Sequence, residues 1–248
     1  QDDEQRSTSL VYHAEDEYRP EPAPEPLPPF WADGNYRVGI HTSIAGDLTA
    51  ALESAAKLGC NAVQIFSSSP RQWKPSPVDP AEALRLARLR EKHDLYPLVI
   101  HDNYLINLAS ADPVIRRKSI EGFRGELERA VALGAEYLVA HPGSARNGDR
   151  RQALGRFVAG LEEAARGMEL GGLRVLLENT AGGGGSLGCD FEELQAILAM
   201  AGSVPLGCCL DTAHCYQAGF DVSTARGLAA MLARVEATLG LDGVRVVH

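Results

Sequence analysis

No apolar run in this sequence approaches the roughly 20 residues that a membrane-spanning helix needs. Its opening residues, QDDEQRSTSL, also lack the charged-then-apolar order of a secretory signal. There is no C-x-x-C pair, and the five cysteines (Cys60, Cys189, Cys208, Cys209, Cys215) are odd in number. That spacing argues against a disulfide framework and reads as reduced, mostly buried thiols of a cytoplasmic protein. No glycine-rich stretch ends in G-K-[ST], so AGGGGSLG at 181–188 shares only its glycines with a nucleotide phosphate loop and reads as a close-packed turn. Two further things are missing, an initiator methionine and an eighth strand of the kind described below. Both lead to the expectation of a piece cut from a longer chain.

An excess of positive charge is missing too, since the formal net charge is −9. The imbalance is local. Residues 1–37 hold nine acids against three bases, a balance of −6, and the rest of the chain is nearly neutral at −3. A few divalent cations in one site would reverse that locally, so a phosphate-bearing substrate is not excluded. Within the acidic stretch, residues 14–33 contain six prolines. Such a composition cannot bury enough apolar surface to order itself, and residues 1–37 are expected to be a disordered, extended tail ahead of a domain over 38–248.

What is present is a rhythm. RVGIH (37–41), AVQIF (62–66), PLVIH (97–101), YLVAH (137–141), RVLLE (174–178), LGCCLD (206–211) and VRVVH (244–248) are short apolar runs, each followed by an amphipathic stretch. Strands apolar on both faces with helices between them imply a parallel sheet covered by helices. Asp79-Pro80 and Asp112-Pro113 mark helix starts, and Asp190 with Glu193 has the spacing of a capping box. Ile115, Phe123, Leu127 and Val131 are expected on one buried helical face. Glycines 59, 134 and 240 follow the expected helix ends. Seven such units favour a (β/α)₈ TIM barrel with seven of its eight strands present. With 45% hydrophobic residues, the chain is long enough to bury one large core.

Active sites in barrels form where strands end. The seven ends supply His41, Phe66, His101, His141, Glu178, Asp211 and His248, and His214 follows Asp211 by three residues. Five histidines and two carboxylates on one rim are costly to bury unless a metal compensates them. Imidazole and carboxylate donors without thiolate suit zinc, manganese or iron, and a carboxylate among histidines can bridge two cations for phosphoryl chemistry. SSSPRQW (67–73) places Arg71, Gln72 and Trp73 on the loop after the second strand. That loop could grip nucleic acid or be a surface loop pinned by tryptophan.

These segments resemble endonuclease IV, the zinc-dependent apurinic/apyrimidinic endonucleases. The similarity runs from GIHTSIAG (39–46) through SPRQW (69–73), HDNYLINLAS (101–110), HPGS (141–144), ENTAG (178–182) and DTAH (211–214) to the last residue. The resemblance implies a (β/α)₈ barrel with a trinuclear zinc cluster that hydrolyses the DNA backbone 5′ to an abasic site. By motif, His101 and His141 hold the first zinc and Glu178 bridges it to the second. Asp211 and His248 belong to the second, and His214 to the third. Glu178 is the catalytic carboxylate, and His41 stands behind the ligands as support. Arg71, Gln72 and Tyr104 match residues the family pushes into the minor groove, where a missing base lowers the unstacking cost. The implied partner is double-stranded DNA with abasic sites, met by a nucleoid-associated monomer.

The resemblance also has departures. Asp47 stands where the family repeats glycine. The family continues beyond the histidine of strand seven with an Asp-x-His pair and a strand-eight glutamate. Without them, one zinc site keeps its three protein ligands, the second lacks a carboxylate and the third keeps one ligand. The 248 residues alone are therefore expected to be inactive. Two other readings fit the rim: a metal-dependent sugar isomerase or epimerase of the same barrel class, and a non-catalytic remnant that binds abasic DNA.

Overall fold

The computed structural model describes residues 36–45, 47–74 and 77–248. The acidic, proline-rich tail expected over 1–37 lies, up to residue 35, outside the described residues.

Seven parallel strands pair in chain order: β1 (Gly39–His41), β2 (Ala62–Phe66), β3 (Leu98–His101), β4 (Tyr137–Ala140), β5 (Arg174–Glu178), β6 (Leu206–Leu210) and β7 (Val244–Val247). Each lies within the run the sequence marked. Between them run α1 (Leu48–Lys57), α2 (Pro80–His93), α3 (Pro113–Ala132), α4 (Arg150–Ala165), α5 (Phe191–Met200), α6 (Thr212–Gln217) and α7 (Ala225–Thr238). This is the TIM-barrel arrangement in open form. Among the described residues β1 and β7 are the two edges of the sheet, and an opening of about 490 Å³ between them is bordered by Ile40, His41, Gln64, Val246, Val247 and His248.

The core has two layers because strand side chains alternate. Outward-facing strand residues such as Ile65, Leu98, Ile100, Leu138 and Leu177 pack on Leu52, Leu86, Phe123, Phe157 and Phe191 from the helices. Inward-facing Val99, Val139, Leu176 and Cys209, joined by Tyr137 and Val246, fill the interior as a separate cluster. Two residues beyond five of these inner side chains stand His101, His141, Glu178, Asp211 and His248. The period of two therefore carries each polar end group onto the inner face just above an apolar floor.

Helix starts follow the capping signals with one exception. Asp79 accepts from the Ala81 amide and Asp112 from those of Val114 and Ile115, each with proline in the first turn. The glycines at 59, 134 and 240 have positive φ of 77°, 66° and 71°, backbone that favours glycine, just beyond α1, α3 and α7. The capping box expected at Asp190 and Glu193 does not form: Asp190 makes no side-chain capping bond to α5. Glu193 is taken by Arg150, at 2.6 and 2.8 Å, and by the Gly188 amide at 2.7 Å. A charged bidentate partner outcompetes one cap amide. The expected face of α3 also needs correction at one end. Phe123 and Leu127 are fully buried, but Val131 is 38% exposed and Ala130 takes the inward place. Steps of four residues overshoot a 3.6-residue turn by about 40° each, so the fourth member has rotated out.

All five cysteines are free. Cys208, Cys209 and Cys215 are buried, whereas Cys60 and Cys189 are half-buried. No helix among the described residues is long and apolar enough to cross a membrane.

Candidate metal centre

Glu178, at the end of β5, is the hub. It is 2% exposed, and four histidines from other elements surround it. Its Oε2 lies 3.4 Å from His101 Nε2 and 3.7 Å from His141 Nε2. Its Oε1 lies 3.4 Å from His214 Nδ1 and 3.3 Å from His248 Nδ1. Asp211 joins from the end of β6, with Oδ1 3.6 Å from His214 Nδ1 and Oδ2 4.0 Å from His248 Nδ1. Three donor groups fall within metal-binding reach, His101–His141–Glu178, Glu178–Asp211–His214 and Glu178–Cys209–His248, and Glu178 belongs to all three.

The ring nitrogens are oriented by their surroundings. His101 Nδ1 faces the Asp102 carbonyl at 2.9 Å, which leaves Nε2 for the centre. His214 Nδ1 faces the Asn179 carbonyl at 2.9 Å. His248 Nε2 meets Gln64 Oε1 at 2.8 Å, which turns Nδ1 toward Glu178. Fixing one nitrogen of an imidazole presets the other as a ligand. Asp211 serves twice: its Oδ1 caps α6 at the His214 amide, 2.6 Å away, and its Oδ2 faces His248.

Electrostatics point the same way. Burial opposes ionisation of Glu178, yet the His101 imidazole 3.4 Å away, a hydrogen bond from His248 and the charge of His141 hold its carboxyl well below the usual range. Burial also works against a charged His101, but the adjacent Glu178 and Asp102 carboxylates raise it to about 9. Burial lowers His141 to about 4. Glu178 Oε2 and His141 Nδ1 are buried with no hydrogen-bond partner. A buried carboxylate oxygen with no proton donor, aimed between two imidazoles, fits a cation. The donor set of nitrogens and oxygens around a shared carboxylate suits zinc or a similar ion.

Next to this cluster lies a cavity of about 670 Å³, bordered by Trp73, Tyr104, His141, Ser144, Arg146 and His214. Tyr104 is 63% exposed, and its ring meets Phe66 at 5.3 Å and His101 at 6.1 Å. Arg71 and Gln72 are exposed on the loop after β2 and touch none of the ligands, but Asn103 Nδ2 holds the Gln72 carbonyl at 2.5 Å. The two loops that carry Arg71, Gln72 and Tyr104 are thus tied together. Trp73 is half-buried in the groove beside α3.

Among known proteins, a family described as a xylose isomerase-like TIM barrel matches residues 52–248. A probable endonuclease 4 of Solibacter usitatus (strain Ellin6076) is 52% identical over 215 residues, covering 86% of this chain and 74% of that protein. The crystal structure of endonuclease IV from Thermus thermophilus superposes with a TM-score of 0.76 at 41% identity, over 86% of this chain and 76% of that one.

The chain belongs to the endonuclease IV family.

A D-tagatose 3-epimerase-like structure also superposes, with a TM-score of 0.64 over 85% of this chain and 75% of that one. At 24% identity it shows the shared barrel alone. For a member of the endonuclease IV family, the cluster groups Asp211 with His214 and His248 with Cys209 around Glu178, where the motifs implied that Asp211 pairs with His248. His41, expected as support, is exposed at the β1 edge, 6.1 Å from the His101 ring, and shares Gln64 with His248 through a 3.0 Å contact.

Three supporting residues escaped the motif reading. Gln64 joins His41 to His248, Asn179 grips the Asp211 backbone, and Asp102 lies buried beside His101. Gln64 had a signal, as the lone polar residue in AVQIF. Asn179 and Asp102 directly follow ligands, but which way they turn depends on the neighbouring strand.

Proposed function

We propose that the chain is a metal-dependent DNA-repair endonuclease that hydrolyses the phosphodiester 5′ to an abasic site. The observation that carries this reading is the single buried carboxylate, Glu178, facing four imidazoles at 3.3–3.7 Å beside an open cavity. His101, His141 and Glu178 would hold one zinc. Glu178, Asp211 and His248 would contribute to a second, and His214 to a third. Bound zinc supplies an acidified water at neutral pH and positive charge for the phosphoryl oxygens.

The chain's own residues do the rest. Glu178 offers both oxygens to the centre, so it would help to hold more than one cation. The Asp102 and Asn179 carbonyls and the Gln64 amide keep the imidazoles turned to the centre, so no reorganisation is needed when substrate arrives. Tyr104, leaning on Phe66, and the tied loop bearing Arg71 and Gln72 would enter the minor groove and fill the place of the missing base. The double-stranded partner is engaged by one copy of the chain in the cytoplasm, at the nucleoid.

The test is a labelled duplex with one abasic analogue, incubated with the zinc-loaded chain. Nicking on the 5′ side, abolished by chelation and by Glu178→Gln, supports the reading. Selective binding without nicking supports the site while bearing out the expectation that these 248 residues do not turn over alone. Epimerisation of a ketohexose with no preference for abasic DNA overturns it.

A further inference from the structure

The run of glycines after β5 and the loop after β4 meet at the cavity beside Glu178, and the proposed chemistry uses neither. Arg146, on the β4 loop, has φ of 50°, left-handed backbone that a residue with a side chain adopts at a cost. The surroundings impose it. The Arg146 amide donates to Ser144 Oγ at 3.0 Å, and Ser144 Oγ donates to the Gly184 carbonyl at 2.9 Å. The Ala145 amide donates to the Gly185 carbonyl at 3.0 Å, and Ser144 pairs with Ser186 in an isolated antiparallel bridge. Gly185, with φ of 78°, sits so close that any Cβ there would run into the Arg146 carbonyl. The glycine run is therefore a bed for the Arg146 backbone.

The side chain is left without a partner. Among the described residues, the Arg146 guanidinium has no ion pair and no hydrogen bond, whereas nearby Arg150 is committed to Glu193. Arg146 is also the only lysine or arginine among the described residues bordering the cavity that His141 and His214 border. A free guanidinium is suited to forked recognition of phosphate, because its planar donors match two phosphoryl oxygens.

We propose that Arg146 binds a backbone phosphate of the DNA strand lying across this cavity, next to the metal-ligand cluster. The proposal rests on the endonuclease reading and adds to it a contact that positions the strand without reading its sequence.

The experiment is equilibrium binding of the zinc-loaded 248-residue chain to a duplex with one abasic analogue, over a series of salt concentrations. Each phosphate contact contributes about 0.9 to the slope of log affinity against log salt. Arg146→Ala is expected to lower that slope by about 0.9, and Arg146→Lys to keep it. Arg146→Gly, which suits the positive φ, guards against misfolding and is expected to match Arg146→Ala. An unchanged slope in both truncations overturns the Arg146 proposal and leaves the endonuclease reading standing, even if affinity falls. Absence of selective binding by the unaltered chain overturns the endonuclease reading, and this proposal with it.

Discussion

Replacing Asn179 by alanine removes a side chain that is 1% exposed and holds the turn after β6 through both ends of its amide. Oδ1 accepts from the Asp211 amide at 2.6 Å, and Nδ2 donates to the Asp211 carbonyl at 3.0 Å and to Cys215 Sγ at 3.3 Å. The two backbone bonds are worth about 1 kcal/mol each, and stranding a part-buried amide adds roughly 1–2 kcal/mol. The total is about 3–4 kcal/mol. For a domain of this size, that lowers the melting temperature by roughly 5–15 °C. Asp211 and His214 stand on that turn, so the same change is expected to weaken metal binding at their group more than at His101 and His141. The assay is thermal unfolding of the metal-free protein, followed by zinc titration against a chromophoric chelator. Asn179→Asp should be at least as damaging, because it loses the donor and sets a third carboxylate beside Glu178 and Asp211. A melting temperature within 1–2 °C of the unaltered protein, about 0.5 kcal/mol by the same scaling, would refute the argument that this amide holds the turn.

Arg129→Met should destabilise strongly. Glu126 and Arg129 are 3% and 5% exposed, their ion pair is 2.8 Å long, and Ser67 bonds to both. Stranding the Glu126 carboxylate costs about 3–5 kcal/mol. Urea denaturation measures it, and the double change with Glu126→Gln should recover part of the loss. In metal-free protein, stability should fall on acidification. Burial lowers His41 and His141 from 6.5 to about 4, so the unfolded chain binds protons that the folded one refuses. Their contribution is present above about 6.5 and is lost as the pH drops toward 4, while Asp102 and Glu126, both raised by burial, act in the opposite direction; His141→Gln should remove part of the fall over that window, and an unchanged profile contradicts it. Zinc affinity should also rise with pH, up to about 9, because the ion must displace the proton that Glu178 and Asp102 favour on His101. Calorimetry in buffers of different ionisation enthalpy counts the proton released.

Much of this was legible because two periodicities are strict. Inward-facing Val99, Val139, Leu176, Cys209 and Val246 each precede a polar end group by two residues, so the sequence could place His101, His141, Glu178, Asp211 and His248 on one rim. The proline starts at 80 and 113 were equally plain, since a first-turn proline needs no hydrogen bond. What could not be read depends on how neighbouring units meet. Glu193 was free to cap α5 until Arg150, 43 residues earlier, took it. The bed of Gly184 and Gly185 under Arg146 likewise joins two loops whose approach no local pattern encodes. Val131 failed for a different reason: spacing of four drifts round a helix, and by the end of α3 the drift has turned that side chain toward solvent.

The central claim is that Glu178 organises a shared metal site at the barrel mouth. Crystals of the zinc-soaked chain, measured at the zinc absorption edge, test it most directly. The account predicts an anomalous peak between His101, His141 and Glu178, a second toward Asp211 and His248, and loss of both in Glu178→Gln. Peaks confined to surface residues, or a mouth peak that survives Glu178→Gln unchanged, would contradict it.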